Sequence, residues 1–164
     1  FGWARPVPVN AGNLRNPRRD MIWVSLAGPL TNLALAVGSV LVLRGISLLE
    51  TTPLAGGELL LDVIRPLRTM AAFSLYINVL LGVFNLLPIP PLDGGRVLVG
   101  ILPGKHALWL NRLEPFGFVL LLMLIFFTDV WSVLLSPIIS QVILFLASGE
   151  HVHVEKAMSF LLRG

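Results

Sequence analysis

Between Met21 and Leu43 the chain carries no charged side chain for 23 residues, and nothing else in the sequence restricts the fold as strongly. As a helix at about 1.5 Å per residue this run reaches roughly 34 Å, enough to cross the hydrocarbon layer of a bilayer. No water reaches backbone N–H and C=O groups inside that layer, so only helices or closed barrels traverse it. A second uncharged run extends from Thr69 to Leu87, 19 residues, with Arg65 and Arg68 just before it as interfacial anchors. From Phe116 to Ala147 the chain is apolar for 32 residues with Asp129 as its only charge. A hairpin turning at Thr128 and Asp129 fits that length better than one long helix. The expected fold is therefore an all-α polytopic membrane protein with about four transmembrane helices.

Charge placement supports that count. With four spans, nine of the 12 Lys and Arg residues (Arg5, Arg15, Arg18, Arg19, Arg96, Lys105, Arg112, Lys156 and Arg163) fall on one side, and Arg44, Arg65 and Arg68 on the other. The richer side is expected to be cytoplasmic. At 55% hydrophobic and 13% charged, the composition excludes a disordered chain. The absence of cysteine excludes a disulfide scaffold and thiol chemistry. A net charge of +3 does not point to nucleic acid, because the basic residues lie between apolar runs and form no basic face interleaved with aromatics. The loop from Arg44 to Pro66 and the tail after Gly149 are too short for independent domains, so residues 1–164 read as a single transmembrane domain. The first residue is Phe1 and not Met, which suggests a processed form or a fragment.

The segment Asn85-Leu86-Leu87-Pro88-Ile89-Pro90-Pro91-Leu92-Asp93-Gly94-Gly95-Arg96 ends the second span. Each proline lacks an N–H and disfavours helix in the residue before it, so the backbone is expected to run extended here. Non-helical backbone at membrane depth is tolerated only where protein buries it or where it lines a watery cavity. Asp93 enters that wall, followed by two glycines that permit a tight turn and close approach. A carboxylate in such surroundings needs a partner cation. Two readings are open for Asp93: a metal ligand or catalytic acid, or a loop carboxylate in water or paired with Arg96.

Asn85 to Gly94 is similar to the Asn-x-x-Pro-x-x-x-Leu-Asp-Gly pattern of the site-2 protease family of intramembrane zinc metalloproteases. Phe1 to Asn10, beginning Phe-Gly-Trp-Ala, and Asn16-Pro17-Arg18-Arg19-Asp20 leading to Ala27-Gly28-Pro29-Leu30-Thr31-Asn32 agree in the same order. Together they resemble the compact bacterial and archaeal members from Phe1 to about Arg96. The last third resembles them only as hydrophobic helices after a Leu-Glu-Pro turn at Leu113 to Pro115. The resemblance makes Asp93 the third protein ligand of a catalytic zinc. It assigns the other two to a His-Glu-x-x-His helix, in which the i, i+4 histidines share a face and the Glu is the general base. This sequence has no such motif. Its histidines are His106, expected in a loop, and His151 and His153 in the tail. In the family the helix precedes the Phe-Gly-Trp-Ala stretch, so the chain is expected to be the C-terminal part of a site-2 protease core, its zinc completed by upstream residues.

The activity the resemblance implies is zinc-dependent endoproteolysis of membrane-spanning protein substrates, a regulated intramembrane proteolysis, in a bacterial or archaeal cell membrane. Its partners would be a transmembrane substrate and the lipid bilayer. Asn85 is a candidate to bond a substrate backbone, or to satisfy its own neighbouring backbone. Trp3 to Val9, extended by Pro6 and Pro8, is either a strand for substrate addition or an interfacial connector. Gly28, Asn32, Ala36 and Ser39 form a small-residue face for close helix packing, with Asn32 able to bond across it. His151 and His153 read as a solvated tail. Two other classes are a non-catalytic membrane scaffold that has lost the metal helix, and a transporter fragment in which Asp93 lines an ion path. Transporters pair their broken helices in repeats, and this sequence shows one.

Overall fold

The computed structural model describes residues 16–51 and 58–148, and every regular element among them is helical. Six α-helices follow in order: α1 (Pro17–Glu50), α2 (Glu58–Asn85), α3 (Asp93–Ile101), α4 (Gly104–Leu113), α5 (Gly117–Phe127) and α6 (Ser136–Leu146). A 3-10 turn at Glu114–Phe116 joins α4 to α5, and a π-helical turn at Trp131–Leu135 leads into α6. The Trp3 to Val9 segment and the His151/His153 tail lie outside the described residues.

The first two helices are longer than their uncharged runs, 34 and 28 residues, because loss of charge marks the hydrocarbon segment and not the end of hydrogen bonding. Pro17 starts α1, where a missing N–H costs nothing. The Asn16 N–H donates to Asp20 Oδ2 at 3.0 Å, and the acid favours the positive end of the helix. The two helices are antiparallel. Arg68 pairs with Glu50 at one end, Ser39 Oγ donates to Ser74 Oγ at 2.8 Å in the middle, and Gly82 faces Asn32 and the Pro29 carbonyl at the other. Ala36, Val40 and Leu43 of α1 pack with Ala71, Ala72, Leu75 and Val79 of α2 in one buried cluster, which Leu135, Ile139, Ile143 and Ala147 complete. Ala36 and Ser39 of the small-residue face therefore pack as expected, while Gly28 is exposed. The cross-helix hydrogen bond of this face comes from Ser39, because Asn32 faces a glycine with nothing to accept from it.

The expected four spans are not confirmed. Among the described residues three helical stretches are long and apolar enough to cross a membrane: Arg18–Glu50, Leu60–Asn85 and Gly104–Phe127. Trp131–Leu146 is shorter. The third stretch starts before the apolar run because α4 and the 3-10 turn continue directly into α5, which also puts His106 on exposed helix and not in a loop. The Arg44 guanidinium donates to the Ser148 carbonyl at 3.5 Å, so α6 runs parallel to α1 and ends beside Arg44. The four-span arrangement places that end on the Arg18 side. Counting charges assigns sides only if every apolar segment crosses fully, and the break at Thr128–Asp129 need not follow a full crossing.

Candidate functional site

The chain leaves α2 at Asn85 and enters α3 at Asp93 through the proline segment. The prolines end the helix as expected, but the backbone turns tightly instead of extending. The Ile89 N–H donates to the Leu87 carbonyl at 2.8 Å and the Leu92 N–H to the Ile89 carbonyl at 3.0 Å, and Leu92, just before α3, is extended. The Pro90–Pro91 peptide is cis. α3 then starts against this turn. A Cβ at Gly94 would overlap the Leu86 and Leu87 carbonyls, and one at Gly95 would lie 2.5 Å from the Pro90 nitrogen. The two glycines are thus required by close approach of backbone to backbone.

This packing aims the first residue of α3 at α1. Asp93 Oδ2 lies 3.1 Å from where a Cβ on Gly28 would sit. Further along, Gly100 meets Ile22 and the Arg18 carbonyl, so α3 runs antiparallel to α1. From Met21, where the uncharged run begins, to Gly28 a helix rises about 10 Å. The Asp93 carboxylate therefore sits well inside the apolar span, half-buried, with exposed Gly28 beside it. Among the described residues it has no cationic partner. Arg96 turns instead to Glu114 at 3.4 Å, which removes the Asp93–Arg96 pair from consideration. Asp93 also begins a helix, where a negative charge is favoured.

Two further polar groups border this meeting of helices. Ser25, one turn before Gly28 on α1, is buried. Pro29 removes the N–H that an unbroken helix would direct at the Ser25 carbonyl. Asn85 is half-buried at the end of α2, next to the Leu86 carbonyl that Gly94 abuts, and its amide bonds to no described residue. Its expected alternative role, satisfying neighbouring backbone, is not what the structure shows. Sequence reasoning singled out Asp93 and Asn85, but treated Gly28 as a packing residue and passed over Ser25. The Ala27-Gly28-Pro29 motif was the available signal.

No group of three or more His, Asp or Glu side chains converges among the described residues, and the donor they place beside Gly28 is Asp93. That donor fits a metal: an oxygen ligand with no cationic partner among the described residues, held at the start of a helix and accessible from the Gly28 side. The apolar groove of about 440 Å³ between Leu33 and Val37 of α1 and Gln141, Val142, Phe145 and Leu146 holds no titratable group and is not part of this chemistry.

The fold and the site together define an all-helical membrane protein with a carboxylate presented inside its apolar layer. The model of Peptidase family M50 matches residues 9–127, and the chain belongs to that family, the site-2 metalloproteases. It is 36% identical over 140 residues to "Putative zinc metalloprotease YwhC" of Bacillus subtilis, an alignment covering 85% of this chain and 61% of that protein. It is 40% identical over 73 residues to "Putative zinc metalloprotease FN1322" of Fusobacterium nucleatum, covering 39% of this chain and 21% of that protein. The chain thus spans about three fifths of the first relative and one fifth of the second. No solved structure matches it.

Proposed function

We propose that this chain is part of a zinc-dependent endopeptidase that cleaves membrane-spanning proteins within or near the bilayer, with Asp93 as one protein ligand of the zinc. The observation that carries the reading is the Asp93 carboxylate, inside the apolar span with no cation among the described residues to neutralise it. A charge in that position is expensive unless a cation joins it. Family membership and the names of the two relatives support zinc as that cation. The remaining ligands would come from outside the described residues, as the His-Glu-x-x-His helix of the family resemblance implies. When bound, zinc supplies a Lewis acid and an activated water at neutral pH.

The chain's own residues hold and orient. The turn from Leu86 to Leu92 fixes where α3 begins, and with it the direction of the Asp93 side chain. Asn85 has an amide that bonds to no described residue, one residue from this turn and suited to bonding the backbone of an unwound substrate, whose peptide groups need partners in the apolar layer. The arrangement faces the end of α1 that carries Arg18 and Arg19, the side expected to be cytoplasmic.

The test compares Asp93→Ala with Arg96→Gln in the full-length protein, measuring bound zinc by mass spectrometry and cleavage of a transmembrane reporter. Asp93→Ala is expected to lose both, since metal affinity depends on the full ligand set. Arg96→Gln is expected to keep both. Wild-type zinc content and cleavage in Asp93→Ala would remove the proposal.

A further inference from the structure

Gly28 lies on α1 and Asp93 at the start of α3, and among the described residues the one neighbour that a Cβ on Gly28 would meet within 4 Å is Asp93 Oδ2, at 3.1 Å. That separation is short enough that the carboxylate would have to yield by a few tenths of an ångström. Most of its alternatives are closed. The backbone of Asp93 is set by the contact of Gly94 with the Leu86 and Leu87 carbonyls, and α3 is held at its other end by Gly100 against Ile22. Displacement therefore falls on the side-chain torsions of Asp93 and swings its oxygens. Metal sites accept ligand distances within about 0.2 Å of their preferred values, so a shift of this size matters to a metal and little to packing.

We infer that Gly28 is a positioning residue for the Asp93 carboxylate: the missing side chain at 28 sets the orientation in which Asp93 presents its oxygens. The inference rests on the reading of Asp93 as a zinc ligand. It assigns Gly28 a role separate from helix packing, since Gly82, which does face α1, meets Asn32 and the Pro29 carbonyl and not Gly28. Gly38, on the same helix, has no atom of the described residues within 4 Å of where its Cβ would sit and serves as the control. Alanine raises helix propensity at both positions, but at 28 its Cβ also crowds the ring of Pro29, a backbone effect that the metal-free unfolding reads separately from the metal site.

The experiment measures zinc affinity and the visible absorption of the cobalt-substituted site in full-length wild type, Gly28→Ala, Gly38→Ala and Asp93→Ala, with thermal unfolding of the metal-free forms alongside. Gly28→Ala is expected to bind zinc about 10–100-fold more weakly, the range for disturbing groups that orient a ligand, with an altered cobalt spectrum whether or not metal-free unfolding shifts. Gly38→Ala is expected to match wild type. Zinc affinity and spectrum in Gly28→Ala equal to wild type, with affinity lost in Asp93→Ala, would overturn the role of Gly28 and leave Asp93 as a ligand. Wild-type affinity in Asp93→Ala would overturn both.

Discussion

Gly95 sits where three backbone features converge, and replacing it with alanine tests how the site is built. The added Cβ would lie 2.5 Å from the Pro90 nitrogen, 2.7 Å from the Ile89 carbonyl carbon and 2.9 Å from its oxygen. Comfortable non-bonded separations begin at about 3.5 Å, so the overlap approaches 1 Å against atoms that are all main chain. None can rotate away. The turn is closed by the Leu92 N–H on the Ile89 carbonyl at 3.0 Å, and the start of α3 by the Gly95 N–H on the Leu92 carbonyl at 3.0 Å. Relief therefore requires α3 to move as a body, and overpacking of this kind costs about 1–3 kcal/mol. Alanine in a helix returns about 1 kcal/mol over glycine, which leaves a net loss of roughly 0–2 kcal/mol together with displacement of Asp93. Unfolding by SDS in mixed micelles, followed by far-UV circular dichroism, measures the first, and bound zinc the second. If Gly95→Ala proved as much more stable as Gly38→Ala and kept its zinc, the close packing of α3 on the proline turn would be refuted.

Two further substitutions probe how the helices are held. Ser74→Ala removes the acceptor of the Ser39 hydroxyl and the longer 3.3 Å bond from Asn78 Nδ2, which keeps its 2.8 Å bond to the Ser74 carbonyl. The expected loss is about 0.6 kcal/mol, typical of one interhelical hydrogen bond in a membrane, and a loss above about 2 kcal/mol in the same unfolding assay would contradict it. A double-mutant cycle on Glu50 and Arg68, whose side chains are partly exposed, should give a coupling of about 0.5–1 kcal/mol that shrinks in added salt. Coupling that ignores salt would mean that the pair is shielded from water.

The membrane class and the position of the first two helices were legible because an uncharged stretch longer than the hydrocarbon layer has one stable solution, and that solution is local. The helix break after Asn85 was legible for the same reason: three prolines within four residues act on their own backbone. Asp93 stood out as a charge beside an apolar span, and the surrounding motif identified the family. The number of spans was less accessible. Sequence shows that Thr128 and Asp129 interrupt an apolar run, but the packing of Ile139, Ile143 and Ala147 against α1 and α2 is what orients α6, with its end beside Arg44.

Relations between distant residues belong to the tertiary structure alone. Arg96 was the nearest cation in sequence to Asp93, yet it pairs with Glu114, because the 3-10 turn after α4 brings that carboxylate within reach. Asn32 was the natural donor across the α1–α2 contact, yet Ser39 makes the bond, because the antiparallel register sets a glycine opposite Asn32 and a serine opposite Ser39. Gly28 and Asp93 are 65 positions apart. The sequence by itself determined that a carboxylate would follow a broken helix at the edge of an apolar layer, since hydrophobic length and proline geometry act locally. Only the packing of α3 between the turn and α1 decided that the carboxylate faces Gly28, since that direction depends on which backbones can approach one another closely.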